Sequence, residues 1–198
     1  MISDPYQDLW ADAIDDHDEL RSIYGEPDPA IVNKVTQRIN EQTASYVAAT
    51  SLIFLSSHSA DGRCDVTPRG GEPGFVKILG DGVLAIPDLV GNRRLDTMHN
   101  ILDTGRLGAL FVIPGRTDAL RLNGRACVST RPDVLGRFDA GRKPPAVAII
   151  LAVDEVFIHC ASALKRSHAW KPQRWLPVDA APTMSKLWVS HLEDNGHG

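Results

Sequence analysis

The sequence predicts a mainly β, antiparallel fold with helices at its flanks, on three observations. Between residues 51 and 160, short apolar and β-branched runs recur, separated by turn signals such as ADG (60–62), GDG (80–82) and PGRTD (114–118). The run ALRLNGRACV (119–128) alternates with period two: Leu120, Leu122, Gly124 and Ala126 share one face, and Arg121, Asn123 and Arg125 share the other. Helical spacing falls mostly outside this region, in residues 5–50, and inside it chiefly in one stretch after residue 91. About six strands joined by hairpins exclude a doubly wound parallel sheet and leave an antiparallel barrel or sandwich, of which the barrel is preferred.

Each element follows in order. Residues 5–23 read as an acidic helix. EPDPAIVNKVTQRI (26–39) reads as a second, with Asp28 as cap, Pro29 at its first position, and Ile31, Val32, Val35 and Ile39 on one face. EQTASYVAAT (41–50) gives a third helix. SLIFLSS and RCDVTP form the arms of a hairpin about ADG, and FVKIL and VLAIP flank GDG. RLGALFVI precedes the alternating strand, TRPDVLGRF reads as a short capped helix, and AVAIILAVDEVFIHC (146–160) is the most apolar stretch of the chain. Three parts are expected: an acidic extension (1–29), the main domain (30–175) and a tail (176–198).

Composition narrows the function classes. The 198 residues are 43% hydrophobic and 23% charged, ordinary for a globular protein. The net charge of −4 is uneven, because residues 1–30 hold nine acids and one base, Arg21. The mildly basic remainder favours a small anionic ligand over a nucleic-acid polymer. No apolar run can span a bilayer, the acidic start lacks the basic region of a signal peptide, and Cys64, Cys127 and Cys160 are odd in number and widely spaced. A reducing cytoplasm is therefore expected, with no membrane partner and no metal site. GxSxG, P-loop, GxGxxG and HExxH patterns are all missing.

What remains is a set of anion-binding residues. In GNRRLDTMHN (91–100), Asn92 is expected to cap a helix with Arg93 and Arg94 in its first turn. The helix dipole disfavours cations there by roughly 0.3–1 kcal/mol each, a cost that a bound phosphate would offset. The alternative is that both arginines extend into water. DVTPRGG (65–71) places Thr67 and Arg69 on one strand face, and residues 156–178 carry Lys165, Arg166, Lys171 and Arg174 with Trp170 and Trp175 and no acid. That last stretch could stack on a nucleic acid, receive a flat anionic ring system, or be a surface helix.

The ordered motifs DVTPRG, IPD…GNRRLD, RLGALFVIPG, LRLNGRA and EVFIHCASALKRSHAW resemble those of the pyridoxamine 5'-phosphate oxidase-like flavoproteins, from about residue 30 to about 175. The resemblance implies a split β-barrel that binds FMN at the interface of a homodimer. It implies that Asn92, Arg93 and Arg94 meet the FMN phosphate, and that Thr67, Pro68 and Arg69 run along the isoalloxazine and ribityl chain. Ile86, Pro87 and Asp88 would lie beside them, and Lys165, Arg166, Ser167 and Trp170 would reach the flavin from the second subunit. The implied activity is FMN-dependent oxidoreduction of a small molecule, with a reduced nicotinamide as donor. A flavin- or haem-binding sensor or carrier is the alternative, and a deazaflavin could stand in for FMN. The chain ends APTMSKLWVSHLEDNGHG, without the R-x-H-x-R-type sequence that grips pyridoxal phosphate in the oxidase itself, so that substrate is not expected.

Overall fold

The computed structural model describes residues 10–89, 91–138, 144–160 and 162–197. It divides into two compact units, residues 1–36 and 37–198.

The first unit holds α1 (His17–Tyr24) and α2 (Pro29–Asn33), and none of its described residues is buried. Both helices are shorter than expected. Asp16 accepts a hydrogen bond from the Asp18 N–H, so α1 starts there and residues 13–16 carry no regular structure. Aspartate side chains compete for backbone N–H groups in this way, and Asp12, Asp15 and Asp16 crowd like charge together. The part of the expected helix at residues 5–9 lies outside the described residues. Asp28 caps α2 as expected, accepting from the Ala30 N–H with Pro29 at the first position. The helix stops after five residues, and Ile31, Val32 and Val35 are exposed.

In the second unit, Ile39 belongs to the core, its N–H donating to the Asp81 carbonyl. Helix α3 (Glu41–Ala49) is capped by Asn40 and buries Thr43 and Val47. Seven strands follow: β1 (Leu52–His58), β2 (Cys64–Gly70), β3 (Lys77–Gly80), β4 (Val83–Pro87), β5 (Arg106–Val112), β6 (Asp118–Ser129) and β7 (Ala148–Cys160). Helix α4 (Asp96–Thr104) lies between β4 and β5, and α5 (Pro132–Leu135) runs into a 3₁₀ turn at Gly136–Phe138. Helix α6 (Ser162–Arg166) follows β7, and α7 (Met184–Asp194) closes the chain. TRPDVLGRF is helical as expected, but Arg131 precedes it without a side-chain cap.

All seven strands belong to one antiparallel sheet in the order β2-β1-β5-β6-β7-β4-β3, which excludes a two-sheet sandwich. Ile53 and Leu55 of β1 share a core cluster with Leu84 and Ile86 of β4, although three strands separate them in the sheet. The sheet therefore curls around its inner face. Phe111, Leu122, Ile149 and Leu151 complete the centre of that core, and Ile101 of α4 packs into it.

A bulge interrupts the β6–β7 ladder. Asn123 pairs with Glu155 but Gly124 pairs with Val153, so Asp154 is the extra residue on β7. Burial on β7 changes parity there: Ile149 and Leu151 are buried before it, and Val156 after it. Gly124 has to be glycine, because a Cβ would collide with the Ala152 carbonyl oxygen, a backbone atom with no freedom to move aside. Asp154 turns outward, 2.8 Å from Arg106 and 3.6 Å from Arg125.

Helix α4 is tied down by polar contacts as well as by Ile101. Asn100 Nδ2 donates to Ser57 Oγ of β1 over 2.9 Å in a buried setting, and Thr97 Oγ1 donates to Asp65 Oδ2 of β2 over 3.0 Å.

Two substitutions probe these constraints by denaturant unfolding. Gly124→Ala should destabilise at the upper end of the about 1–3 kcal/mol usual for overpacking, since the clash is with backbone. Asn100→Ala should cost about 1–3 kcal/mol by leaving Ser57 unpaired in the interior.

Candidate functional site

The candidate site is built on an edge strand. Among the described strands β2 pairs only with β1, and it alternates between exposed and half-buried residues along its length. Asp65, Thr67 and Arg69 face a cleft of about 420 Å³. Pro68 faces away and is exposed, so it does not line the cleft. A proline lacks an N–H for a ladder and is tolerated on an edge strand.

β4 supplies the opposite wall. Ile86 is fully buried in the core and Pro87 is buried, so neither reaches the cleft. They carry the chain to Asp88, whose N–H donates to the Val147 carbonyl and whose carboxylate stands 3.8 Å from Arg69. Of the three residues expected on this strand end, Asp88 alone lines the cleft.

The Asn92–Arg93–Arg94 turn completes the site, but not as expected. Asn92 is not the helix cap, and the two arginines are not in the first helical turn. Asn92 Oδ1 accepts from the Arg94 N–H at 3.0 Å, closing a local turn ahead of the helix. Arg93 (φ 64°) and Leu95 (φ 61°) both lie in the left-handed region, where a non-glycine residue costs roughly 1–2 kcal/mol. The left-handed Leu95 ends the turn, and α4 begins at Asp96. The first helical turn therefore holds an acid, the charge that the dipole favours. Leu95 provides no side-chain cap, which leaves first-turn N–H groups open to a ligand.

Three guanidiniums and three carboxylates share the cleft: Arg69, Arg93 and Arg94 with Asp65, Asp88 and Asp96. Arg94 Nε donates to Asp96 Oδ2 at 2.8 Å, and that hydrogen bond raises the already high pKa of the guanidinium. The Arg93 side chain makes no hydrogen bond or ion pair with the described residues. Arg69 Nε is buried and has no hydrogen-bond partner among the described residues. A buried donor without a partner is costly, and the usual explanation is an unseen acceptor. A ligand carrying a phosphate and several hydroxyls fits this set of groups, since the guanidiniums suit phosphate oxygens and the carboxylates of Asp65 and Asp88 can accept from hydroxyls.

Lys165, Arg166, Ser167 and Trp170 do not line the cleft of their own chain. Lys165 and Arg166 end α6 and are exposed, and Ser167 Oγ donates to the Leu164 carbonyl. Trp170 Nε1 donates to the Arg116 carbonyl at 2.7 Å, and Trp170, like Leu164, packs against the cluster of Val112 and Ala119. The segment is thus anchored to the β5–β6 turn. Arg116 and Asp118 pair across that turn through two 2.8 Å hydrogen bonds, and Tyr46 OH donates to the Asp118 carbonyl.

Sequence reasoning missed Asp65, Asp96 and Thr97. Asp65 could have been found, because it sits two residues before Thr67 and four before Arg69, on the same strand face. Asp96 was hidden by the misplaced helix start. Pro144 and Pro145, which also line the cleft, carry no sequence signal. No group of three or more His, Cys, Asp or Glu residues suited to a metal occurs among the described residues, and no described helix is long and apolar enough to cross a membrane.

No curated protein shows significant similarity to the chain. Among solved structures, HupZ of Group A Streptococcus superposes with a TM-score of 0.51 at 17% identity, covering 62% of this chain and 95% of that one. A variant of HupZ gives 0.50 at 18% identity, covering 61% and 99%. An FMN-binding protein of Syntrophomonas wolfei subsp. wolfei gives 0.43 at 12% identity, covering 71% and 92%. At these identities the HupZ structures speak to the fold alone. The family model for pyridoxamine 5'-phosphate oxidase matches residues 39–160, from the residue that enters the core to the last residue of β7. The chain belongs to the pyridoxamine 5'-phosphate oxidase family and has its split-barrel fold.

Proposed function

We propose that the chain binds FMN in the cleft between β2, β4 and the start of α4, and serves as an FMN-dependent oxidoreductase for a small molecule. The observation that carries this reading is the convergence of Arg69, Arg93 and Arg94 beside a helix start without a side-chain cap, with one buried guanidinium N–H that has no acceptor among the described residues. Asn92 shapes the turn, Arg93 and Arg94 meet the phosphate, and Thr67, Arg69 and Asp88 offer polar groups to the ribityl chain and ring edge. FMN, when bound, supplies the hydride and electron chemistry. The protein's part is to bind, orient and set the polarity around it, which accords with a cleft that has no histidine or cysteine among its described lining. The same lining offers no usual axial ligand for haem, so the flavin reading is preferred over a haem carrier in this cleft.

The reading includes a homodimer. The outer face of β1, β5, β6 and β7 carries cross-strand rows in which Phe54, Leu110, Arg121 and Phe157 lie side by side, next to Ser56, Gly108, Asn123 and Glu155. Arg121 lies over the Phe157 ring at 5.1 Å, and exposed Val66 extends the apolar area on β2. Gly108 leaves a notch between Ser56 and Asn123. A mixed apolar and polar face of this kind suits a second copy. Pairing there would let Lys165, Arg166, Ser167 and Trp170 of one copy approach the flavin of the other. The three cysteines are exposed and none is in a disulfide, which suits a reducing compartment such as the cytoplasm.

The purified protein should be yellow, or become so with FMN, with a flavin absorption spectrum and a released chromophore of the mass of FMN. A colourless protein that takes up no FMN in a titration would end the reading. Replacing both arginines, Arg93→Ala with Arg94→Ala, should weaken FMN binding about a hundredfold, as expected for two charge-assisted contacts of about 1.5 kcal/mol each. Circular dichroism and the sedimentation coefficient should stay as in the wild type. Under anaerobic conditions NADH or NADPH should bleach the bound flavin; a flavin that neither reduces would point to a carrier or sensor.

A further inference from the structure

Resting on the FMN reading, we infer that Arg94, rather than Arg93, is the guanidinium fixed to receive the phosphate, and that Asp96 is its positioning residue. Contacts from both sides hold Arg94. Its backbone N–H is held by Asn92 Oδ1 at 3.0 Å, and its Nε by Asp96 Oδ2 at 2.8 Å. Left-handed Arg93 and Leu95 bracket it, so a strained stretch of backbone is spent on the placement of this one residue. The neighbouring Arg93 side chain has no such tether among the described residues.

The geometry of the Arg94–Asp96 contact differs from that of similar pairs in the chain. Arg116 and Arg131 each face an aspartate two residues on, and in both pairs the carboxylate takes Nε and Nη2 together. Asp96 takes Nε alone, and among the described residues neither terminal nitrogen of Arg94 has a partner, so both can serve a ligand. A guanidinium held by Nε presents its Nη edge as a preformed fork, the arrangement that grips two phosphate oxygens. An untethered arginine loses rotamer freedom on binding, and Asp96 removes part of that cost beforehand. Its negative charge also repels the phosphate. The acceptor and the charge of Asp96 therefore act in opposite directions, and substitution can separate them.

The experiment titrates FMN and riboflavin into cofactor-free full-length protein carrying Asp96→Ala, Asp96→Asn, Arg93→Lys or Arg94→Lys. Riboflavin lacks the phosphate, so its affinity reports the integrity of the cleft apart from the arginine fork. Asp96→Ala should weaken FMN about tenfold, the equivalent of about 1.4 kcal/mol, and leave riboflavin unchanged. Asp96→Asn keeps an acceptor for Nε and should bind FMN at least as tightly as the wild type. Arg94→Lys, which loses the fork, should weaken FMN more than Arg93→Lys does. If riboflavin binds too weakly to read, an unchanged melting temperature of the cofactor-free variants takes its place as the control. FMN affinity that holds or rises in Asp96→Ala would overturn the inference and make Asp96 a competitor for Arg94. Equal losses for FMN and riboflavin, or a matching fall in melting temperature, would reduce Asp96 to a helix-start residue. A wild-type protein that binds riboflavin but shows no gain from the phosphate would remove the phosphate role of Arg94 while leaving a flavin cleft, whereas binding neither would remove the cofactor reading itself.

Discussion

The hydrogen bond between Asn100 and Ser57 inside the barrel, with the companion contact from Thr97 to Asp65, is the constraint on which the site depends. Together they fix the pitch and depth of α4 against β1 and β2. The strained turn at Arg93–Leu95 leads directly into that helix, so its position follows from theirs. Buried polar pairs of this kind add little net stability, but they are costly to break and so admit few alternative packings. Ile101 alone, an apolar contact without direction, would hold the helix on the sheet without fixing its register.

The barrel supplies the rigid half of the arrangement. One long strand, β7, serves two neighbours, pairing with β4 through its first half and with β6 along nearly its whole length. This brings the end of β4, and with it Asp88, round toward Arg69 at the far edge of the same sheet. Strand order thus places two charged residues face to face across the cleft. The glycine opposite the bulge is required because the two backbones approach too closely for any side chain between them.

Charge within the cleft is balanced rather than simply positive. Arg69 and Arg94 each have a carboxylate within ion-pair distance, and Arg93 has none among the described residues. A neutral cleft keeps the empty protein from being stressed by like charges, and it still offers donors to a phosphate. A site made of arginines alone would bind anions less selectively. The mixture of carboxylates and guanidiniums suits a molecule that joins a phosphate to a chain of hydroxyls.

Much of this was legible in the sequence, for a reason that also marks its limit. Period-two alternation assigned Thr67 and Arg69 to one face, the Gly-containing turns marked the hairpins, and a series of ordered motifs pointed to the family, because these are properties of near neighbours along the chain. The same local rules put Arg93 and Arg94 inside a helix, since Asn92 is a good cap and the apolar spacing after it is helical. Only the folded chain shows Asn92 serving Arg94 in a turn of its own and Leu95 reversed into the left-handed region, with Asp96 opening the helix. Pro68, Ile86 and Pro87 belong to the right segments, but the curl of the sheet turns them to solvent or core. Periodicity fixed which residues share a face; pairing between distant strands decided which faces meet, because that energy comes from contacts no stretch of sequence contains.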